Sequence, residues 1–290
     1  MKEEKSGNLK EWIIPFLFVL CAGWAIWHAP AYILDFWPHD DNASLTTQMS
    51  EMHKRKDVAP DLPGLFGGVS DIVDIAAILL LPIIFYFGVK TVVLAPMEFP
   101  HHSRIDKIAM FIGRIVMILI ISMTCVMLYE VFLRYAIEKP TLWANELTLW
   151  IGGFVFMFSG VYAMQQRSHI RIFILYDVMP RWMQHLCDVV WVALLWFFAM
   201  CLVFGSYKQV FINKFYKWQT FGTAFDPPIP ATIQPTILIV ICLISLQALL
   251  NLIADWGRDP ADLLEKEVVD KEELEALKKS AGHEVPEGSR

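Results

Sequence analysis

Six apolar stretches determine what this 290-residue chain can fold into, because each approaches or exceeds the length of a membrane-crossing helix. A hydrocarbon core about 30 Å thick needs roughly 20 helical residues at about 1.5 Å rise per residue. The predicted spans are Trp12–Leu34, Ile72–Met97, Ile108–Leu133, Glu146–Met164, His185–Tyr207 and Ile233–Ala254. The second is the weakest, because Asp74 and Lys90 leave only Ile75–Val89 free of charge.

The composition supports the same fold class. Apolar residues make up 56% of the chain and charged residues 19%, whereas soluble domains average about 45–50% and about 25%. We therefore predict an all-α, polytopic helical integral membrane protein with about six transmembrane helices and one interfacial amphipathic helix. The interfacial helix is expected at Phe173–Met179, which is apolar, too short to span and flanked by Arg171 and Arg181.

Lysine and arginine residues predict the orientation of the spans, since cationic loops resist translocation. More of them fall on the side that holds both chain ends than on the opposite side. This distribution predicts a multi-pass protein with an N-in and C-in orientation. An alternative for the first span is a signal peptide, because Ala29-Pro30-Ala31 resembles a cleavage site. The apolar run continues through Leu34, which favours a retained helix.

The chain divides into three parts. Residues 1–107 form an N-terminal extension with two predicted transmembrane helices and an extracytoplasmic loop, residues 108–254 form a four-helix membrane domain, and residues 255–290 form a charged cytoplasmic tail. No internal repeat is detectable, whereas a transporter that moves solute unaided more often has two related halves.

Charged residues in or beside the spans need a partner or access to the interface, because an unpaired charge in hydrocarbon is costly. Arg114 lies near the start of its span, and its long side chain is predicted to snorkel to the interface. Glu130 and Arg134 lie four residues apart on one helix and are predicted to pair. Glu146 opens the next helix, where it is also a candidate partner for Arg134 across the hairpin. This group is interpreted either as an ion pair that fixes the hairpin or as a contact with another subunit.

The fourth span carries an aromatic stripe beside a stripe of small residues. The aromatic stripe is Trp150, Phe154 and Phe158, and the small stripe is Gly153, Gly160 and Ala163. Small residues let helix backbones approach closely in lipid, where no hydrophobic effect drives helix association. The small stripe is therefore predicted to pack against another helix, either of this chain or of a partner.

The sequence offers little for chemistry. The five cysteines lie in apolar runs without C-x-x-C spacing, and no Ser/His/Asp, paired-carboxylate or metal-ligand pattern rises above chance. His169 lacks a second ligand at suitable spacing, so it is interpreted as a structural hydrogen-bonding residue rather than a metal or proton site. We therefore expect no enzyme activity, no catalytic, solute-binding or metal-binding residue and no cofactor. The acidic net charge of −6 also argues against nucleic acid as a partner.

One loop has a composition of its own. Lys208–Gln234, predicted on the outer side, interleaves aromatic residues with lysines and then turns on Pro227, Pro228 and Pro230. An aromatic belt at the membrane interface explains most of this pattern. A docking surface for an extracytoplasmic protein is the alternative.

Motifs within Ile108–Ala254 together resemble one known family. Arg134-Tyr135 ends one helix, Pro140-x-x-Trp143-x-x-Glu146 opens the next, Gly160 lies in its second half, and Arg167-x-His169-Ile170 follows it. Their order and spacing are similar to those of the small membrane subunit (DctQ type) of tripartite ATP-independent periplasmic, or TRAP, transporters. The chain departs from the family at Asn145, Ser168 and Phe173, so family roles at these three positions are not carried over.

The resemblance implies a division of labour. In such systems a periplasmic solute-binding protein captures an organic acid or similar solute and delivers it to a sodium-driven complex in the bacterial inner membrane. The solute and sodium sites belong to the large permease subunit, and the small subunit is a non-catalytic scaffold that packs against it in the lipid bilayer. The candidate partner-interface or structural residues are Glu130, Arg134, Trp143, Glu146, Gly153, Gly160 and His169.

A membrane anchor subunit of a redox complex is the second interpretation of the same spans. Haem in a helical bundle usually needs histidines within the spans. Here His28, His169 and His185 fall near span ends, and the other histidines fall in loops or the tail. The histidine positions therefore favour the transporter subunit. An autonomous channel or carrier comes third.

Overall fold

The computed structural model describes residues 9–32, 64–67, 71–95, 98, 104–167 and 179–257, and every regular element within them is helical. The helices are α1 (Leu9–His28), α2 (Ile72–Thr91), α3 (Arg104–Phe132), α4 (Trp143–Gln165), α5 (Arg181–Tyr207) and α6 (Ile229–Asp255). Three helices continue with a different pitch. A 3₁₀ turn follows α1 (Ala29–Tyr32), and π-helical segments follow α3 (Leu133–Ile137) and α5 (Lys208–Tyr216).

All 6 helices are long and apolar enough to cross a membrane. The predicted all-α membrane fold is therefore confirmed, although some helix ends differ from the predicted ones. The second span was expected to reach Met97 but ends at Thr91. The fifth begins at Arg181, before the predicted His185, and runs on to Tyr216 through its π-helical segment. Apolarity and helical hydrogen bonding therefore need not end at the same residue, since the second helix stops before its apolar run does and the fifth extends into flanking polar residues.

The weakest predicted span, now α2, has a strong N-terminal cap. The carboxylate of Asp71 accepts hydrogen bonds from the backbone N–H groups of Val73 at 2.9 Å and Asp74 at 3.2 Å. The Asp74 carboxylate in turn accepts from the Asp71 N–H at 2.9 Å, which completes a capping box. The Asp74 carboxylate is therefore used to cap the start of α2.

Replacing Asp71 by alanine should destabilise the start of α2, whereas asparagine, which also caps well, should retain most of the stability. The N–H of Phe66 donates to Asp71 at 2.8 Å, and this bond is the main reason that the pKa of Asp71 lies below its usual 3.8. The cap is therefore complete above the ordinary carboxyl pKa and is lost as the pH falls through the lowered value. Thermal unfolding of the three proteins in detergent, at pH 7 and in acid, measures both effects.

Loss of stability in acid should be smaller for the Asp71→Asn protein, because asparagine does not titrate. An equal acid sensitivity of Asp71→Asn and the unmodified chain would contradict a role for this carboxylate.

The helices pack in the order α2, α1, α3, α4, α6 and α5, with α2 also touching α3. One apolar core joins α3, α4 and α6 and contains Ala109, Ile112, Val116, Val161 and Val240. A second core joins α4, α5 and α6 through Met164, Val192 and Ala248. The four C-terminal helices thus form a continuous body, and the first two helices lie against it at α3.

Two glycines allow neighbouring helices to approach closely. A Cβ atom at Gly88 of α2 would overlap the ring of Phe111 on α3. A Cβ atom at Gly113 of α3 would lie 2.5 Å from the ring of Tyr162 on α4. At both positions a side chain as small as alanine needs the neighbouring ring to move.

Several predicted features lie outside the described residues. They are most of the interfacial helix Phe173–Met179, most of the extracytoplasmic loop, the charged tail beyond Gly257 and His169.

Candidate functional site

A buried charge cluster lies on the side of the fold where α1 and α3 begin and α4 ends, here called the proximal side. Its centre is Arg114, whose side chain is only 7% exposed. The guanidinium pairs with Glu11 at 3.1 Å and with Glu98 at 3.0 Å, and it donates to the Val93 carbonyl at 3.1 Å. The Tyr162 hydroxyl donates to Glu98 at 2.8 Å. We call Glu11, Glu98, Arg114 and Tyr162 the proximal charge cluster.

This cluster corrects the prediction that Arg114 snorkels to the interface. The start of α1 and the segment after α2 cover the arginine, and each supplies a carboxylate. The N–H of Ala95 donates to Glu98 at 2.8 Å and helps to orient it. The sequence did hold a signal, because Glu11, Glu98 and Arg114 all lie next to span ends on one predicted side.

A second polar network on the proximal side joins α3, α4 and α6. The Gln247 amide donates to Asp106 at 2.7 Å and to Asn251 at 3.0 Å. Asn251 donates to the Met164 carbonyl at 2.6 Å. Sequence analysis missed this network, although Gln247, Asn251 and Asp255 recur every four residues in the second half of a largely apolar helix.

Asp255, the last of these three residues, connects the end of α6 to the end of α4. Arg167 binds Asp255 through two parallel contacts, Nε to Oδ2 at 2.5 Å and Nη2 to Oδ1 at 2.9 Å. The two side chains are 13% and 17% exposed. Bidentate geometry and partial burial make this pair stronger than an ordinary surface ion pair.

Removing one member of this pair should therefore destabilise the four C-terminal helices. We expect Arg167→Ala to lower the free energy of unfolding by about 1–3 kcal/mol. This loss is smaller than that expected for a fully buried ion pair, because water reaches both side chains. Thermal unfolding in detergent measures the change. The double exchange of Arg167→Asp with Asp255→Arg should restore part of the loss, and a double variant less stable than either single one would contradict direct pairing.

On the opposite, distal side, Glu130 is the centre of the α3–α4 hairpin. Its carboxylate pairs with Arg134 at 2.7 Å and accepts from the Thr141 N–H at 3.0 Å and hydroxyl at 2.5 Å. The Glu130 side chain is 2% exposed, whereas that of Arg134 is 45% exposed. The predicted pair is thus present, and Glu130 also holds the loop that leads into α4. Trp143, at the start of α4, stacks against Tyr129 with ring centroids 6.1 Å apart.

Glu146 takes a different partner from the one suggested by the sequence. Arg134 pairs with Glu130 on its own helix, and Glu146 accepts a hydrogen bond from the Thr223 hydroxyl at 2.5 Å. Thr223 belongs to the turn before α6, in which Asp226 accepts from the Gly222 N–H at 2.6 Å. The start of α4 therefore faces this turn.

The two stripes of α4 face other parts of the same chain. A Cβ atom at Gly153 would lie 2.8 Å from Ile233, and one at Gly160 would lie 3.2 Å from Ile244, both on α6. Trp150 is buried and donates to the Thr232 hydroxyl at 2.8 Å. The two glycines therefore support packing within the chain.

A further buried group joins α1 to α2. The Trp24 indole N–H donates to Asp74 at 2.7 Å, and His28 lies 3.7 Å from the same carboxylate. Asp74 and His28 are both fully buried. The charged residue that weakened the predicted second span is thus paired inside the N-terminal helices.

The chemistry of these sites is electrostatic. Each of the buried charges described above meets an opposite charge or a hydrogen-bond donor within the chain. Among the residues that the structure describes, no group of three or more His, Cys, Asp and Glu side chains is placed to hold a metal ion. The arrangement fixes helices against one another.

Six apolar helices with internally paired charges define a multi-pass helical membrane protein. Residues 123–255 match the family model DctQ, described as "Tripartite ATP-independent periplasmic transporters, DctQ component". Over these residues, somewhat under half of the chain, the sequence is similar to the DctQ family, and the resemblance to a TRAP transporter small permease subunit is confirmed. The match begins within α3, so α1, α2 and Arg114 lie before it. No curated protein and no solved structure gives a significant match to the chain.

Proposed function

We propose that the chain is the non-catalytic scaffold subunit of a sodium-coupled, binding-protein-dependent TRAP transporter for organic acids or similar solutes. It packs against the large permease subunit, and the complex receives solute from a periplasmic binding protein. The DctQ match supports the assignment to this class of transporter. The proposed location is the bacterial inner membrane, with secondary active symport as the transport mode.

The scaffold role is supported by the bonding of the buried polar groups to other parts of the chain. A solute or ion site near the midplane needs polar groups that are open to the cargo. In the described part of the chain, Arg114, Asp106 and Glu130 are each engaged by partners on neighbouring segments. These contacts connect helices and are consistent with a subunit that offers surfaces to a partner.

The proposed orientation, N-in and C-in, places the proximal side in the cytoplasm. The distal turn before α6 then faces the periplasm. Glu146 holds this turn through Thr223, and Trp27 of α1 contacts Phe225 with ring centroids 5.5 Å apart. An ordered turn at this position suits a role in receiving the binding protein.

Co-purification and uptake test the proposal together. An affinity tag on the chain should capture a large polytopic membrane protein from native membranes, and deletion of the chain should abolish sodium-dependent uptake of the solute. Reintroducing the chain should restore uptake. A chain that purifies alone, with uptake unchanged by its deletion, would exclude the scaffold role. Solute flux through vesicles that contain this chain alone would support an autonomous carrier instead.

A further inference from the structure

The N-terminal helix pair, α1 and α2, contacts the four C-terminal helices across nearly the whole membrane. Glu11 lies at the proximal end of the contact and Trp27 at the distal end, roughly 24 Å apart at about 1.5 Å per helical residue. Between them, the ring of Phe18 lies 5.9 Å from that of Phe111 on α3, and both rings meet Phe85 of α2. The contact therefore extends over most of the length of α1.

The distal end of this contact is apolar. The ring of Trp27 meets that of Trp150 on α4 at 5.3 Å in an edge-on arrangement. Ala29 packs against the buried pair Trp218 and Ala231, which belong to the turn after α5 and the start of α6. α1 thus meets α3 at its proximal end and α4 at its distal end, and the 3₁₀ turn after it reaches the start of α6.

The proximal end is electrostatic. Arg114 is the cation, and the two carboxylates nearest to it come from outside the four C-terminal helices, Glu11 from α1 and Glu98 from the segment after α2. Without α1, Arg114 would lose the Glu11 carboxylate in an apolar environment, which is unfavourable. Charge matching between Arg114 and Glu11 therefore favours α1 on this surface, and Glu98 from the segment after α2 completes the cluster.

We propose that Arg114 is the docking residue for the N-terminal helix pair. It holds the pair on α3 and α4 as a permanent part of the subunit, and this face is closed to any other membrane protein. This docking involves contacts within the chain only and does not depend on the transport function. The region that precedes the DctQ match thereby acquires a role in the subunit.

Cross-linking within the full chain tests this docking. The test variant has its five natural cysteines replaced by serine. It carries two new cysteines, Ala29→Cys and Ala231→Cys, and a protease site inserted after residue 45. A short thiol cross-linker followed by proteolysis then joins the α1 fragment to the rest of the chain only when α1 is docked. The readout is the joined fraction on a denaturing gel.

Arg114→Gln should lower the joined fraction several-fold, because two buried carboxylates lose their cation. The triple variant Glu11→Gln, Glu98→Gln and Arg114→Gln should recover only a small part of it, since no charge is then left unpaired but the ion pair that holds α1 is also gone. Arg134→Gln, which removes a half-exposed arginine on the distal side, is the matched control and should leave the fraction unchanged. A joined fraction for Arg114→Gln equal to that of the parent would overturn the proposal, as would a triple variant that docks as fully as the parent.

A second cysteine pair separates docking from general misfolding. Gly160→Cys and Ile244→Cys, in a chain whose protease site is inserted after residue 170 instead, report the contact of α4 with α6, which lies within the four C-terminal helices. If Arg114→Gln also loses this link, the milder variants Glu98→Gln and Glu98→Asp are used to separate loss of docking from misfolding. Glu98→Gln should lower the 29–231 link more than Glu98→Asp while the 160–244 link stays intact, and equal 29–231 yields would overturn the proposal. Because these measurements need neither solute nor partner, their outcome is independent of the uptake test.

Discussion

Replacing Glu130 by alanine should loosen the distal end of the α3–α4 hairpin far more than replacing its partner Arg134 by alanine. Glu130 is 2% exposed and receives bonds from Arg134 and from both donors of Thr141. Its removal leaves the Thr141 N–H and hydroxyl without this acceptor and takes away the counter-charge of Arg134. Arg134 is 45% exposed, so its own removal leaves a carboxylate that Thr141 still satisfies.

The measurement is the melting temperature of each purified variant in detergent, with sodium-dependent uptake as the functional readout. Uptake should fall in Glu130→Ala in proportion to the loss of assembled complex, while the order of preference among solutes stays the same. A change in solute preference would contradict the scaffold role. A larger loss of stability in Arg134→Ala than in Glu130→Ala would contradict the arrangement of the hairpin.

Gly113→Ala should destabilise the contact of α3 with α4 by about 1–3 kcal/mol, the usual cost of overpacking. A Cβ atom at this position lies 2.5 Å from the ring of Tyr162. The ring is restrained, because its hydroxyl donates to Glu98 in the proximal charge cluster. The substitution therefore strains a helix contact and an ion-pair cluster together.

Gly152→Ala is the matched control for this experiment. A Cβ atom there would have Met123 at 3.9 Å as its nearest neighbour, which is an ordinary contact. Because alanine favours helix over glycine by about 1 kcal/mol, this variant should be neutral or slightly more stable. Thermal unfolding of the two variants, side by side, gives the difference. Equal melting temperatures would show that α3 and α4 are further apart at Gly113 than described.

Much of the fold was predictable from the sequence because hydropathy is a local property. A run of about 20 apolar residues is expected to cross a bilayer wherever it lies in the chain. The six predicted spans correspond to six observed helices, with shifts at their ends. The pair Glu130–Arg134 was predictable for the same reason, since helix geometry alone brings residues four apart together.

The partners of the other charges were not predictable in this way. Arg114 meets Glu11 across a separation of 103 residues, and Arg167 meets Asp255 across 88. Hydropathy shows that such a charge needs a partner but does not identify the helix that supplies it. The Arg134–Glu146 suggestion failed on this point, because Glu146 faces the turn before α6.

The sequence by itself therefore determined that this protein lies in a membrane, how many of the described helices are long and apolar enough to cross it, and which family residues 108–254 resemble. Only the tertiary structure decided that the first helix lies against α3 and meets α4 at Trp150, and that two acidic residues of the N-terminal region neutralise Arg114. The physical reason is that spanning depends on the apolarity of one segment. Pairing of charges depends on the relative positions of helices that are far apart in the chain.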